Sequence, residues 1–275
     1  MKIFVTGATG FIGGHFINIV PENIEIFAIK RSKSIIKVKL NRKINWIEKE
    51  LNNLTSKDLN GFDYIVHFAS AGVSPQKATL EELNYINVNC TMSLLRSAAE
   101  AGIRRIIMAG SYIEYGLSAN VYKNIPVSAA LLPTTAYGAS KAEAFNFAYT
   151  FCRDAKISLF YNRIFSAYGE GQHEGNLWPS LKKAAMDNKD FPMSTGEQIR
   201  DFISVKDVAS SFLKDLSRNN TNDFKLEVRN VCSGKGVSIL EFASNWWKIW
   251  NAKGKLLPGK IPNRGNEPKR FVGKL

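Results

Sequence analysis

The chain has 275 residues, is 45% hydrophobic and carries a formal net charge of +13. Its length suits one large α/β domain, or one domain with a small appended lobe. Three widely spaced cysteines, Cys90, Cys152 and Cys232, argue against a disulfide framework and a zinc site, and no apolar run approaches a membrane span.

A cytoplasmic chain with no metal and no membrane partner is expected, because MKIFVTGATG also lacks signal-peptide architecture. The positive charge does not point to nucleic acid. The lysines are scattered apart from KRSKSIIKVKLNRK at 30–43, and no basic–aromatic module accompanies them. A solvated basic surface fits better, as does a preference for anionic small molecules such as nucleotides.

KIFVTGATGFIGGHFINIV predicts a short apolar strand, a glycine loop and an amphipathic helix. IEIFAIKRS predicts a second strand ending in basic residues, and INWIEKEL a third. FDYIVHFASAG reads as a strong fourth strand. LNYINVNCTMSLLRSAAEAG then predicts a helix with a glycine stop, and RRIIMAGS the next strand. TAYGASKAEAFNFAYTFCRDA reads as a helix and ISLFYNRIFSAYG as one strand. Strands alternating with helices imply α/β architecture, a Rossmann-type doubly wound parallel sheet.

After about residue 170 the pattern loosens. WPSLKKAAMDN, VKDVASSFLKDL and VSILEFASNWWKIW look helical, with NVCSG a short strand. The expected organisation is a dinucleotide-binding domain over 1–169, to which some later segments return. A smaller C-terminal substrate-binding lobe covers most of 170–275.

Gly7, Gly10 and Gly13 follow the first strand and open the first helix. Glycines there permit a tight turn and close backbone approach, and the helix start offers unpaired N–H groups to a pyrophosphate. The residue at the end of the second strand separates the two dinucleotides. An acid would bind the ribose hydroxyls of NAD, whereas a base accommodates the 2′-phosphate of NADP. This chain carries Lys30, Arg31 and Ser32 there, with Glu25 at the strand's other end, so NADPH is expected over NADH.

Tyr137 and Lys141 lie one helical turn apart in TTAYGASKAE. The lysine is either a surface charge, or an ammonium that lowers the phenol's pKa for proton transfer.

These motifs together resemble the extended short-chain dehydrogenase/reductase family, which comprises nucleotide-sugar epimerases, dehydratases and reductases. The matching stretches are GATGFIGG, HFAS at 67–70, NVNCT at 87–91, AGSYIEYG at 109–116 and YGASK at 137–141. NRIFSAYG at 162–169, GNLWPSL at 175–181 and RDFISVKDVA at 200–209 follow in family order. The resemblance implies that Tyr137 is the catalytic acid/base, with Lys141 on the nicotinamide ribose and Ser111 on the reacting oxygen. It implies cofactor contacts from Gly7, Gly10, Phe11, Ile12, Gly13, Lys30, Arg31, Ser32, Glu50, Leu51, Phe68, Ala69 and Ser70. Asn87 either orders the catalytic network or lies on a helix surface. Asn176, Leu177, Arg200 and Arg264 match positions that hold a diphosphate. Ser166 falls at a further substrate-contact position, where many relatives carry asparagine.

Departures from the motifs narrow the chemistry. Tyr112 and Ile113 replace the acid pair that the 4,6-dehydratases carry, and Ile113 replaces the cysteine of fucose-synthase-like enzymes. His173 is either a loop base or an ordinary surface residue. AGSYIEYG resembles reductases of CDP- or dTDP-linked 4-keto-6-deoxyhexoses, which supply bacterial surface polysaccharides. A 4-epimerase is the alternative within the fold. A non-catalytic NADP-binding regulator is the alternative outside enzymes, against which the intact Ser111, Tyr137 and Lys141 speak. The resemblance further implies a homodimer built on the helices at 84–101 and 137–155.

Overall fold

A computed structural model describes residues 1–217, 224–263 and 268–275. β1 (Lys2–Thr6) leads through the glycine loop into α1 (Phe11–Ile19), and β2 (Glu25–Lys30) and β3 (Asn45–Glu48) follow. β4 (Tyr64–His67) precedes a long helical run. That run begins as α2 (Leu80–Leu83), passes through a π-helical stretch (Asn84–Cys90) and ends as α3 (Thr91–Glu100). β5 (Arg105–Ser111), α4 (Ala136–Asp154) and β6 (Ser158–Ile164) complete the first half.

Seven strands form one sheet in the order β11–β6–β5–β4–β1–β2–β3, where β11 is Leu226–Val231. Every pairing in it is parallel. β1 shows why both faces are covered. Ile3 and Val5 point into one core with Phe16 and Ile17 of α1 and with Val208 and Phe212. Phe4 points into the other, with Leu94 and Leu95 of α3 and Ala144 and Ala148 of α4. Alternation of period two on a sheet clad with helices buries successive side chains in opposite layers.

The rest of the chain adds β7 (Ser166–Tyr168), α5 (Leu177–Met186), β8 (Phe191–Pro192), β9 (Ile199–Arg200) and β10 (Phe202–Ser204). α6 (Val205–Leu216), β12 (Val237–Ser238), α7 (Ile239–Ile249), β13 (Leu256–Leu257) and β14 (Arg270–Phe271) follow. Its strands make only small sheets: β10 with β7, β8 with β13, and β9 between β12 and β14. Leu181 and Ala185 of α5 pack with Ala243 and Trp247 of α7 in a separate cluster. α6 belongs to the first core, through Val208, Phe212 and Leu216.

Two elements differ from the sequence reading. The single strand expected over ISLFYNRIFSAYG breaks at Phe165, so that β6 stays in the large sheet while β7 pairs with β10. The short strand expected at NVCSG is longer and earlier. It runs back to Leu226 because β6 supplies a full parallel partner for it.

Candidate active site

In a parallel sheet the carboxyl ends of all strands share one edge, and the ligand crevice opens where the strand order reverses. Here that point lies between β1 and β4. Gly7 follows β1 with φ of +72°. A Cβ on it would stand 2.6 Å from Ala69 N and 2.7 Å from the Phe68 carbonyl carbon, so only glycine fits between the two strand ends. Gly10 is the N-cap of α1 and its N–H donates to Gly7 O at 3.0 Å. No side chain caps α1, and its first turn, from Phe11 through Ile12 to Gly13, has no acidic residue. The donors at this helix start are therefore open to an anion, which fits the pyrophosphate of a dinucleotide.

The other expected cofactor residues spread along the same edge. Glu25 starts β2 and lies beside Lys2, whereas Lys30 ends it. Lys30 Nζ sits 5.8 Å from the centre of the Trp46 ring. Arg31 and Ser32 are exposed, and Arg31 N–H donates to Ser34 Oγ at 3.0 Å. Glu50 and Leu51 follow β3. Phe68 is chiefly a core residue, with its ring 5.4 Å from Phe16 and 4.6 Å from Phe212.

The catalytic corner forms at the end of β5. Thr135 caps α4 by accepting the Gly138 N–H at 3.0 Å, which sets Tyr137 in the first turn. Lys141 is 4% exposed and donates to Ala109 O at 2.8 Å. Burial lowers its pKa, and the Glu114 carboxylate opposes that. The Ser70 and Ser111 hydroxyls favour ionisation of the Tyr137 phenol. Burial outweighs them and pushes Tyr137 up to about 12. The expected depression of the phenol is thus corrected. Desolvation of the anion dominates in this arrangement, and the Lys141 ammonium is directed to a backbone carbonyl.

Asn87 is buried in the π-helical stretch and acts as a staple, not a surface residue. Its Oδ1 accepts from Ser70 Oγ at 3.0 Å and from Ala71 N–H at 2.8 Å. Its Nδ2 donates to Ser140 Oγ at 2.9 Å, tying the β4 loop to α4. His67 is sandwiched between Thr6 Oγ1 at 2.7 Å and Thr91 Oγ1 at 3.1 Å. Burial lowers its pKa to about 3, so it is a neutral structural bridge.

Across the mouth, a Cβ on Gly72 would stand 3.5 Å from the Tyr137 ring, so the loop after β4 lies against the phenol. Asn176, the N-cap of α5, donates to Ser74 O of that loop at 3.2 Å. Leu177 begins α5 beside it. His173 Nδ1 accepts the Gly175 N–H at 3.1 Å, within its own turn. Ser166 opens β7, half-buried. Arg200 is 6% exposed, and its guanidinium donates to Ile199, Pro268 and Lys269 carbonyls and lies over Phe271. Arg264 lies outside the described residues.

Sequence reasoning passed over the pairing of Glu114 with Arg163, and the Ser140 contact to Asn87. Glu114 lies in EYG and Arg163 in NRIF, and no spacing rule joins positions 49 apart in the chain. Among the described residues no group of three metal-binding side chains occurs, and no helix is long and apolar enough to cross a membrane.

Comparison with known proteins agrees with this geometry. The profile of the NAD dependent epimerase/dehydratase family matches residues 3–228. A UDP-glucose 4-epimerase of Corynebacterium glutamicum is 25% identical over 303 residues, covering 99% of this chain and 87% of its own. A CDP-abequose synthase of Salmonella muenchen is 25% identical over 270 residues, covering 97% and 86%. MoeE5, solved with UDP-glucuronic acid and NAD, superposes with a TM-score of 0.87 at 25% identity, covering 100% of this chain and 90% of that one. With a Rossmann-type sheet, an uncapped glycine loop at its switch point and a serine, tyrosine and lysine at the end of β5, the chain belongs to the NAD dependent epimerase/dehydratase family.

Proposed function

We propose that this protein reduces the C4 ketone of a nucleotide-linked 4-keto-6-deoxyhexose, a CDP- or dTDP-sugar, with NADPH. The observation that carries the reading is the catalytic corner itself. Ser111 ends β5, Tyr137 stands in the first turn of α4 with Lys141 buried one turn on, and Tyr112 and Ile113 follow Ser111 where a dehydratase needs an acid pair. The 25% identity to a CDP-abequose synthase supports it. Nucleotide sugars named with other relatives, such as UDP-glucose and UDP-glucuronic acid, support the wider substrate class.

NADPH supplies the hydride. The protein's own groups do the rest. Ser111 and Tyr137 donate hydrogen bonds to the ketone oxygen as negative charge develops, and Tyr137 gives up its proton to it. A phenol pushed up to about 12 is held protonated at neutral pH, the form that a reduction consumes. Lys141 would hold the nicotinamide ribose, and the N–H groups of α1 the pyrophosphate. Lys30, half-buried at the end of β2, and the exposed Arg31 after it would hold the 2′-phosphate. Asn176, Leu177, Arg200 and Arg264 would receive the sugar nucleotide's diphosphate, with residues from 170 onward forming most of that lobe. A homodimer through α3 and α4 fits the apolar cleft lined by Met92, Phe147 and Phe151.

A 4-epimerase is the second reading, favoured by the relatives of that name. One experiment decides between them. The protein is incubated in D₂O with NADPH and a panel of nucleotide-linked 4-keto-6-deoxyhexoses, with an enzyme-free control. One NADPH consumed per sugar, with protium retained at C3 and C5, is the expected result. In a parallel incubation with NAD and the matching 4-hydroxy nucleotide sugars, interconversion at C4 with no net change in NAD would replace the reductase by the epimerase.

A further inference from the structure

Directly below the catalytic corner lies a buried ion pair. Glu114 is 0% exposed and Arg163 is 2% exposed. Arg163 Nε donates to Glu114 Oε2 at 2.7 Å. Glu114 Oε1 accepts the Ser111 N–H at 2.7 Å and the Tyr161 hydroxyl at 2.7 Å. Arg163 is fixed in turn: Nη1 donates to Tyr115 Oη at 3.2 Å and to Val127 O at 3.1 Å. Its guanidinium carbon lies 4.4 Å from the centre of the Phe145 ring. The Tyr161 ring passes under the strand end only because residue 110 is glycine, where a Cβ would stand 2.2 Å from it.

Stability is a weak reason for such a pair, since burying two charges costs about as much as their attraction returns. Its placement supplies a better one. One carboxylate oxygen holds the backbone of Ser111, and the Tyr161 hydroxyl that donates to the same oxygen also lies 3.4 Å from Lys141 O, so the carboxylate stands against both β5's end and α4. We propose that Glu114 is a positioning residue for this centre, fixing Ser111 through its backbone N–H and holding the Lys141 ammonium charged from within the core.

The groups facing it are Arg163 and Tyr161 from β6, Lys141 and Tyr137 from α4, and Tyr115 beside it. His67 of β4 also faces Lys141 and is neutral. Burial pushes the Glu114 carboxyl up. Arg163, Tyr161 and Lys141 work against that shift. Three donors favour the carboxylate form: Arg163 Nε, the Ser111 N–H and the Tyr161 hydroxyl all point at its two oxygens at 2.7 Å.

The consequence for turnover rests on the reductase reading, but the central measurement does not. Protein with ¹³Cε-labelled lysine is titrated by NMR, and the Lys141 signal is the one lost in Lys141→Arg. In Glu114→Gln, which removes the charge at nearly constant shape, the Lys141 midpoint is expected at lower pH than in wild type. Glu114→Asp, which keeps the charge, is expected to restore it towards wild type. An unmoved midpoint in folded Glu114→Gln protein overturns the proposal. If Glu114→Gln does not fold, the ¹³Cδ shift of Glu114 in the wild-type protein decides. A carboxylate at pH 7 is expected, and a protonated carboxyl overturns the proposal. In the NADPH assay the alkaline limb of kcat/KM is expected to move to lower pH in Glu114→Gln, with the Kd for NADPH unchanged within about twofold. A shifted Lys141 midpoint with no 4-keto sugar reduced by wild type would sink the reductase reading and leave this inference standing. Turnover with an unmoved midpoint would do the reverse.

Discussion

The candidate cofactor cradle and the candidate catalytic corner share one edge of one sheet but use different chemistry. The cradle is made of backbone: Gly7 between two strand ends, and the unpaired N–H groups of α1. The corner is made of side chains brought from β5, α4 and β6, and most of its polar atoms already have partners inside the protein. A backbone site is fixed by conformation and by the close approach that glycine permits. A side-chain site is fixed by packing and burial, and these also set its proton affinities.

Tyr137→Phe tests the division most severely. It removes the proposed proton donor and leaves the cradle intact. Turnover is expected to fall by about 10²–10⁴-fold with the Kd for NADPH nearly unchanged. Single-turnover NADPH oxidation and a fluorescence titration of the cofactor measure the two quantities. Retention of most of the activity would assign the proton to another group.

Gly7→Ala attacks the cradle in the opposite way. With φ of +72° and a Cβ 2.6 Å from Ala69 N, the change is expected to cost about 2–3 kcal/mol of stability. Thermal unfolding should drop by about 5–10 °C, and cofactor affinity should weaken with it. An unchanged melting temperature would show that the strand ends can part at little cost.

His67 marks the boundary between the two regions, since it bridges β1, β4 and α3 through Thr6 and Thr91. Its folded pKa of about 3 is below the ordinary 6.5, so the unfolded chain binds the proton first. The stabilisation is complete above pH 6.5 and is lost as pH falls towards 3. Between pH 6.5 and 5 the loss is expected to approach about 2 kcal/mol. Urea unfolding across that range measures it, and His67→Gln should flatten the slope. An equal slope in the variant would place the acid sensitivity elsewhere.

Arg31→Ala gives the smallest expected effect because Arg31 is exposed. Affinity for NADPH is expected to fall about tenfold while that for NADH stays put. Equal preference in both proteins would remove Arg31 from 2′-phosphate recognition.

Much of this molecule could be read from the chain alone, where the cause was local. GATGFIGG specifies its loop because only glycine accepts the turn and the close approach of Phe68 and Ala69. Alternating strands and helices specified the parallel sheet, because period and length are short-range properties. The four-residue spacing of Tyr137 and Lys141 placed them on one helix. Tertiary structure alone decided that Tyr137 is pushed up and not down, since burial depends on every element packed around it. It also joined Glu114 to Arg163 across 49 positions, split β6 from β7 at Phe165, and turned the Arg200 guanidinium onto backbone carbonyls. Desolvation and partner choice are set by neighbours in space, and sequence order does not carry them.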